Sequence, residues 1–345
     1  MSAKLKIAVV GAGTIGRRHV TYLDASKSAE LSAVVDPTEA AKAFALTAGV
    51  PWFADLDTLL ATQRPDGLIV ATPNPLHHSN ARDAIKAGVP VLVEKPLADT
   101  IEAAEAIVAA AAASHVPVLT GHHRRHSATL QKAKTIIDEG IIGRVVAVHA
   151  TCWFYKPDAY FDVTWRREAG SGPVLINLIH DVDNLRYLLG EVVAVQAVEA
   201  NFIRGFAVED SCVILLHFAS GALGTMTVSD AIVAPWSWEL TSGENCDYHQ
   251  TSQNCYMIGG SHGSLALPSL EVWSNTGERS WNQPVEVERA GIDCGDPLAR
   301  QIAHFCAVIQ GNETPVCSAS DGLGSLKVIS AIKQAAASGT MVRLP

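Results

Sequence analysis

One stretch limits what this chain can fold into more than any other: Lys6-Ile7-Ala8-Val9-Val10-Gly11-Ala12-Gly13-Thr14-Ile15-Gly16. A short apolar run, without the alternation of a half-exposed strand, reads as a parallel strand buried on both faces. Three glycines follow at G-x-G-x-x-G spacing, and residues 17–23 then read as a helix. Each glycine has a physical task in a strand–turn–helix of this kind. Gly11 allows the tight turn, Gly13 lets a pyrophosphate approach the backbone, and Gly16 lets the helix pack closely on the strand. The helix start at Thr14 and Ile15 offers free N–H groups and partial positive charge to phosphates. Glycine turns also occur in other α/β domains, so the context matters. A second apolar run, residues 31–35, ends in Asp36, twenty positions after Gly16. That is the spacing at which an acid binds the adenosine ribose hydroxyls. Pro37 follows and no arginine comes soon after it, which favours NAD over NADP.

Residues 1–121 keep alternating strand and helix patterns. Helices are expected at 39–48, 55–62, 78–87 and 100–114, and strands at 52–53, 67–71, 89–93 and 117–121. This order predicts a Rossmann-type, doubly wound parallel sheet with helices on both faces, an α/β domain. Ligands of such sheets sit beyond the carboxyl ends of the strands. Thr72-Pro73-Asn74, His77 just after it, and Glu94-Lys95-Pro96 are therefore all aimed at the cofactor crevice. The rhythm changes after Gly121. Residues 122–345 are expected to form a second, α+β domain for substrate binding and oligomerisation. Its helices are read at 129–139, 174–189, 297–309 and 321–337. Its strands are read at 145–153, 192–200, 210–218, 221–228, 237–241, 255–259 and 263–266, in succession and with short turns, which predicts an antiparallel or mixed sheet.

Composition excludes several partners. A formal net charge of −9 argues against nucleic acid, whose backbone must be neutralised by Lys and Arg. No apolar run reaches the length of a membrane span. The N-terminal residues run directly into the first strand, leaving no secretory h-region. The seven cysteines are scattered, with no C-x-x-C pair, and read as free or buried thiols in a reducing cytoplasm.

Two residues carry the chemistry expected of the crevice. Lys95 stands at a strand end, where an ammonium can hydrogen-bond a substrate oxygen and stabilise charge as a hydroxyl loses its proton. On spacing alone, a surface lysine is the other reading. His180 lies in an apolar helical run, with Ile176, Asn177, Asp183 and Asn184 three or four positions away. An imidazole with polar neighbours can act as general base near neutral pH, and a core or capping histidine is the alternative. The run His122-His123-Arg124-Arg125-His126 lacks an obvious further metal ligand. No metal is expected, and the run reads as a basic rim for phosphates, carboxylates or sugar hydroxyls, with His122 and Arg124 as substrate contacts. Trp165-Arg166 and residues 155–161 can supply stacking and bidentate groups to a polyol, or simply pack.

Taken together, these motifs resemble the glucose–fructose oxidoreductase/inositol dehydrogenase (Gfo/Idh/MocA) family over nearly the whole chain. The resemblance rests on the glycine turn, Ala71-Thr72-Pro73-Asn74, Glu94-Lys95-Pro96, residues 121–125, Trp165-Arg166, and His180-Asp181-Val182-Asp183 before Leu188-Leu189-Gly190. It implies a second domain with a large open sheet, often the oligomer interface, and a homodimer or homotetramer. It implies that Lys95 binds and polarises the reacting hydroxyl, that His180 is the acid/base, and that the Lys95–Pro96 peptide is cis. Many members place an Asp four residues before the histidine, where this chain has Ile176. The nearest polar group is Asn177, which can orient an imidazole but cannot carry charge. The reading is an NAD-dependent oxidoreductase acting on a secondary alcohol or ketone of a sugar, polyol or related small molecule. The alternatives are a non-catalytic dinucleotide sensor and a lyase or hydrolase that redox-cycles bound NAD.

Overall fold

The structure is a computed structural model and describes residues 3–291 and 295–345, so Cys294 lies outside the described residues. The chain divides into two compact units, residues 1–126 with 297–326, and residues 127–296 with 327–345.

The first unit is built on six parallel strands, β1 (Leu5–Val10), β2 (Ala29–Val35), β3 (Trp52–Phe53), β4 (Gly67–Val70), β5 (Val91–Val93) and β6 (Val118–Thr120). Their order is β3-β2-β1-β4-β5-β6, the order of doubly wound sheets built from two mononucleotide-binding halves. The inner strands are apolar toward their carboxyl ends because both faces are covered there. Ala8, Val10, Leu68, Val70, Val91 and Val93 enter one core, and Ile7, Val9, Ile69, Leu92 and Leu119 enter the other. Helices α1 (Thr14–Ala25), α2 (Glu39–Thr47), α3 (Leu56–Thr62), α4 (His77–Lys86) and α5 (Ile101–Ser114) supply the covering layers. Thr38, Asp55 and Thr100 cap α2, α3 and α5 by accepting a backbone N–H three residues on.

The second unit is built on nine strands, β7 (Val145–Trp153), β8 (Val192–Ala200), β9 (Ser211–Phe218), β10 (Leu223–Ser229), β11 (Tyr256–Gly260), β12 (Gly263–Leu267), β13 (Glu271–Asn275), β14 (Val285–Arg289) and β15 (Val342–Arg343). Among the described residues only β7 and β10 of this sheet pair in parallel. Alternation sorts the residues. Cys212, Ile214, Leu216 and Phe218 of β9 face the core, while Val213 and Leu215 are exposed. Helices α6 (Ala128–Asp138) and α7 (Ile179–Leu189) cover the core face. Residues 237–241, expected as a strand, form the single helical turn α8 (Trp238–Thr241), closed by Thr241 Oγ1 donating to the Ser237 carbonyl at 2.8 Å. Burial of Trp238, with its indole N–H on Glu244 at 2.8 Å, holds the turn in place. Strands β13, β14 and β15 were not legible. β14 alternates valine with charge over only five residues, all of them exposed, and β15 has only two residues.

Two C-terminal helices correct the expected domain division. Helix α9 (Pro297–Ile309) lays Ile302, Phe305, Cys306 and Val308 on the core that contains Ile7, Val9 and Leu119. Helix α10 (Ala319–Ser338) puts Ala319 and Leu326 into a core of the first unit and Val328, Ile329 and Ile332 into that of the second. Residues 122–345 are therefore not one domain. The chain returns to its first unit because an uncovered sheet face needs an apolar helix, whatever its place in sequence. Six cysteines are free thiols among the described residues. No helix among them is long and apolar enough to cross a membrane.

Candidate active site

In the first unit the sequence-predicted residues gather at the carboxyl ends of β1, β4, β5 and β6. Gly11 has φ +93°, and a Cβ there would lie 2.6 Å from the Ala71 carbonyl carbon and 2.7 Å from the Thr72 nitrogen. A Cβ on Gly16 would lie 1.8 Å from the Gly11 oxygen. Gly13 differs, since a Cβ there meets nothing within 4 Å. Gly13 also begins α1 without any side-chain cap on the helix N-terminus. Open space before uncapped N–H groups is what a pyrophosphate requires. Asp36 stands beside this turn. Its Oδ2 accepts the Ala12 N–H at 2.9 Å, and its Oδ1 accepts the Thr38 N–H at 2.9 Å and hydroxyl at 2.6 Å. Burial pushes its carboxyl up, but those hydrogen bonds and the Arg17 charge outweigh it and hold the group below the usual range.

Arg17, from α1, is the arginine the sequence did not place near Asp36. Its Nε donates to the Ala12 carbonyl at 2.9 Å, its Nη2 reaches the Ala40 carbonyl at 3.5 Å, and the guanidinium lies 4.6 Å from the Phe44 ring centroid.

Lys95 follows β5, and its peptide to Pro96 is cis. Two buried histidines hold the backbone around it. The His77 ring bridges the Thr72 carbonyl at 2.9 Å and the Pro96 carbonyl at 2.8 Å, tying the segment after β4 to the segment after β5. His19 of α1 meets Glu94 through Nε2 and Oε1 at 2.7 Å. Burial raises the Glu94 carboxyl, yet the His19 hydrogen bond and charge, with His123 and Lys95, bring it down to about 2. Gly121 packs directly on this side chain, since a Cβ there would lie 3.0 Å from Glu94. Sequence reading missed His19. The signal was present, because Gly16, His19, Val20 and Leu23 share the buried face of α1, and a histidine on such a face needs a polar partner.

The expected basic rim is not one. His122, Arg124, Arg125 and His126 are buried. Arg125 pairs with Asp321 at 3.0 Å, and the His126 ring lies 5.0 Å from that of His304. Burial, then the neighbouring His304, His123 and Arg125, pushes the His126 imidazole down to about 3.

Trp165, Arg166, Asn177 and His180 belong to the second unit. Its helix opens with a wide π turn, Val174–Leu178, before α7 begins at Ile179. Such turns often occur at functional positions, and they alter the spacing on which three-apart neighbours rely. Asn177 makes no hydrogen bond to His180. Its Oδ1 is buried with no hydrogen-bond partner, and the residue lines a cavity of about 630 Å³ with Lys156, Tyr160 and Asp247. The turn is held from below by Glu209, whose Oε1 accepts the Val174 N–H at 3.0 Å and whose Oε2 takes the Lys333 ammonium at 2.6 Å. Helix α7 is held by Tyr256, whose hydroxyl donates to Asp181 and accepts from Asn184 at 3.0 Å. His180 thus sits on a buried, anchored first helical turn. Trp165 is exposed, and Arg166 lies over Tyr160, its Cζ 4.0 Å from the ring centroid.

The strand order, the glycine turn and Asp36 define the first unit as a dinucleotide-binding domain. The family model described as "Oxidoreductase family, NAD-binding Rossmann fold" matches residues 5–122, and the Gfo/Idh/MocA C-terminal domain model matches residues 130–266. The chain belongs to the Gfo/Idh/MocA family and is an NAD-dependent oxidoreductase. It is 27% identical over 336 residues to a 1,5-anhydro-D-fructose reductase of Ensifer adhaerens, covering 96% of each chain. It is 26% identical to a D-glucoside 3-dehydrogenase of Escherichia coli, covering 99% of this chain and 98% of that one. Among solved structures, the WlbA dehydrogenase of Bordetella pertussis, in complex with NADH and UDP-GlcNAcA, matches with a TM-score of 0.81 and 26% identity over 99% of both chains.

Proposed function

We propose that the protein oxidises a secondary alcohol of a sugar, polyol or related hydroxylated small molecule, or reduces the corresponding ketone. The observation that carries this reading is the placement of Lys95 at the end of β5, in the unit of the glycine turn, with its backbone held through His77 and the Glu94–His19 pair. The names of the sugar-acting relatives support the substrate class. Gly11, Gly13, the α1 N-terminus at Thr14, Ile15 and Gly16, Asp36, and the segments at Thr72-Pro73-Asn74 and Glu94-Lys95 are the residues that would hold NAD. When bound, NAD supplies the hydride acceptor or donor. Lys95 donates a hydrogen bond to the reacting oxygen and stabilises its developing charge. His180 takes or returns the proton. Asn177 contributes to the substrate cavity rather than orienting His180, since it lines that cavity and its Oδ1 has no hydrogen-bond partner.

NAD is preferred over NADP in this reading. Asp36 stays ionised and repels a 2′-phosphate, and Arg17 is already committed to the Ala12 and Ala40 carbonyls. The exposed apolar residues Val146, Val213, Leu215, Leu223 and Met257, on the outer face of the nine-stranded sheet, support a homo-oligomer built through that face. Free thiols, Cys246 among them exposed, support a reducing cytoplasm.

The test is NADH formation across sugars, polyols and sugar acids. Lys95→Met should lower kcat/KM by about two orders of magnitude or more while NAD affinity stays within about threefold. His180→Ala should cost about 10²–10⁴-fold. Unchanged turnover in both variants overturns the assignment. NAD binding with no turnover of any compound replaces it with a non-catalytic sensor.

A further inference from the structure

The cavity of the second unit holds two polar groups whose needs the protein leaves unmet. Asn177 Oδ1 is an acceptor with no donor. Lys156 is a buried cation whose counter-charge, Asp230, is shared with Arg204. The Lys156 side chain is 6% exposed, and its ammonium stands 3.5 Å from Asp230 Oδ2, longer than the 2.7–2.9 Å typical of a charge-assisted hydrogen bond. Asp230 is already engaged by Arg204, whose Nε donates to Oδ1 at 3.0 Å and whose Nη2 donates to the Asp230 carbonyl at 2.6 Å. One buried carboxylate therefore faces two buried cations.

Asp158 and Asp210 do not correct this imbalance. Asp158 reaches Arg204 at 3.5 Å but is exposed. Asp210 gives its oxygens to the Ile203 and Arg204 backbone amides and to the Ser211 hydroxyl. Asp247 and His249 also line the cavity, and Lys156 is the one lysine or arginine among the lining residues. Behind Lys156 stands Tyr160, whose ring centroid is 4.9 Å from Lys156 Nζ and 4.0 Å from Arg166 Cζ. Arg166 gives one donor to the Tyr160 carbonyl at 2.7 Å. Its Nε is buried without a partner, and no acid pairs with it among the described residues. Burial lowers the Lys156 ammonium from its usual range, with Asp230 opposing that shift. A buried cation short of counter-charge is costly, and a ligand anion is the group that relieves it.

We propose that this cavity selects a substrate carrying an anionic group beside its hydroxyls, a hydroxy acid or acid sugar rather than a neutral polyol, with Lys156 holding the anionic oxygens and Arg166 adding charge behind Tyr160. The inference rests on the oxidoreductase reading above and narrows its substrate. The geometry asks only for anionic oxygens, so carboxylate and phosphate are separated by experiment.

The NAD-loaded protein is titrated calorimetrically, and assayed for NADH, with matched pairs of probes. These are D-gluconate with D-glucitol, D-galacturonate with D-galactose, and D-glucose 6-phosphate with D-glucose. At least one anionic probe should bind about tenfold or more tightly than its neutral partner. A preference confined to the first two pairs assigns the site to carboxylates, and one confined to the third assigns it to phosphates. Lys156→Met should bring that ratio close to one, and Lys156→Arg should restore part of it. Arg166→Met, at a less buried position, should lower the ratio by a smaller factor. NAD affinity reports that each variant is folded. Neutral probes bound and oxidised as well as the acids, or a ratio unmoved by Lys156→Met and Arg166→Met, overturn this inference and leave the oxidoreductase reading standing. Binding of NAD with no binding in either series overturns both.

Discussion

The two sheets of this molecule solve the burial problem differently. The six-stranded sheet is covered on both faces, by α1 and α9 among others on one side and α4 and α5 on the other. Its strands are short and mostly apolar, and its chemistry is confined to the loops at one edge, where strand ends stop burying residues. The nine-stranded sheet has a core on one face and exposed valines, leucines and methionine on the other. The first sheet leaves freedom only at its loops, and the second leaves a whole face available. Each unit also steadies its reactive segment with a buried carboxylate. Glu94 is paired with His19 beside Lys95, and Glu209 is paired with Lys333 beneath the π turn that carries Asn177. In the first unit the carboxylate is adjacent in sequence to the residue it serves. In the second it comes from a distant segment.

The largest effect that would break this comparison lies in the glycine turn. Gly16→Ala should abolish measurable NAD binding and lower Tm, because its Cβ would sit 1.8 Å from a backbone oxygen that cannot move without opening the turn. Gly13→Ala should leave Tm nearly unchanged, since its Cβ meets nothing, and still weaken NAD by about tenfold or more. A Gly13→Ala protein with full NAD affinity would mean that the open space at Gly13 is not the pyrophosphate site.

The two carboxylates come next. Glu209→Ala leaves the Val174 N–H and one side of Lys333 unmatched, and should cost about 1–3 kcal/mol by urea titration. Glu94→Gln is best tested by acid. A carboxyl held near 2 when folded and near 4.5 when free adds stability above pH 4.5, which is lost as pH falls toward 2. Glu94→Gln should flatten that limb of the urea midpoint against pH. An unchanged acid limb in Glu94→Gln would show that the His19 pair does not set it.

The smallest effect on the folded chain is expected on the open face. Leu215→Glu with Val213→Lys should leave NAD affinity intact and convert an oligomer to a monomer in light scattering. A wild-type monomer at micromolar concentration would remove the oligomer proposal.

Much of the first unit was legible because its signals are local. G-x-G-x-x-G and Asp36 at the second strand end each act within a few residues of their own backbone. The second sheet was legible wherever alternation runs long, as in β7, β8 and β9. It failed where burial came from elsewhere. Residues 237–241 turn into a helix to bury Trp238, and β14 is wholly exposed. The π turn could not be read from apolar spacing, since one widened turn leaves the composition unchanged.

By itself, then, the sequence determined the dinucleotide domain, its cofactor turn and the position of Lys95 at a strand end, because backbone sterics and strand periodicity are encoded residue by residue. The tertiary structure alone decided that α9 rejoins the first sheet, that His19 answers Glu94 across 75 positions, that His122, Arg124, Arg125 and His126 are buried, and that Lys156 and Asn177 share one cavity. Those facts depend on which surfaces remain uncovered and which buried charges remain unpaired once the chain has closed, and neither quantity exists until distant segments meet.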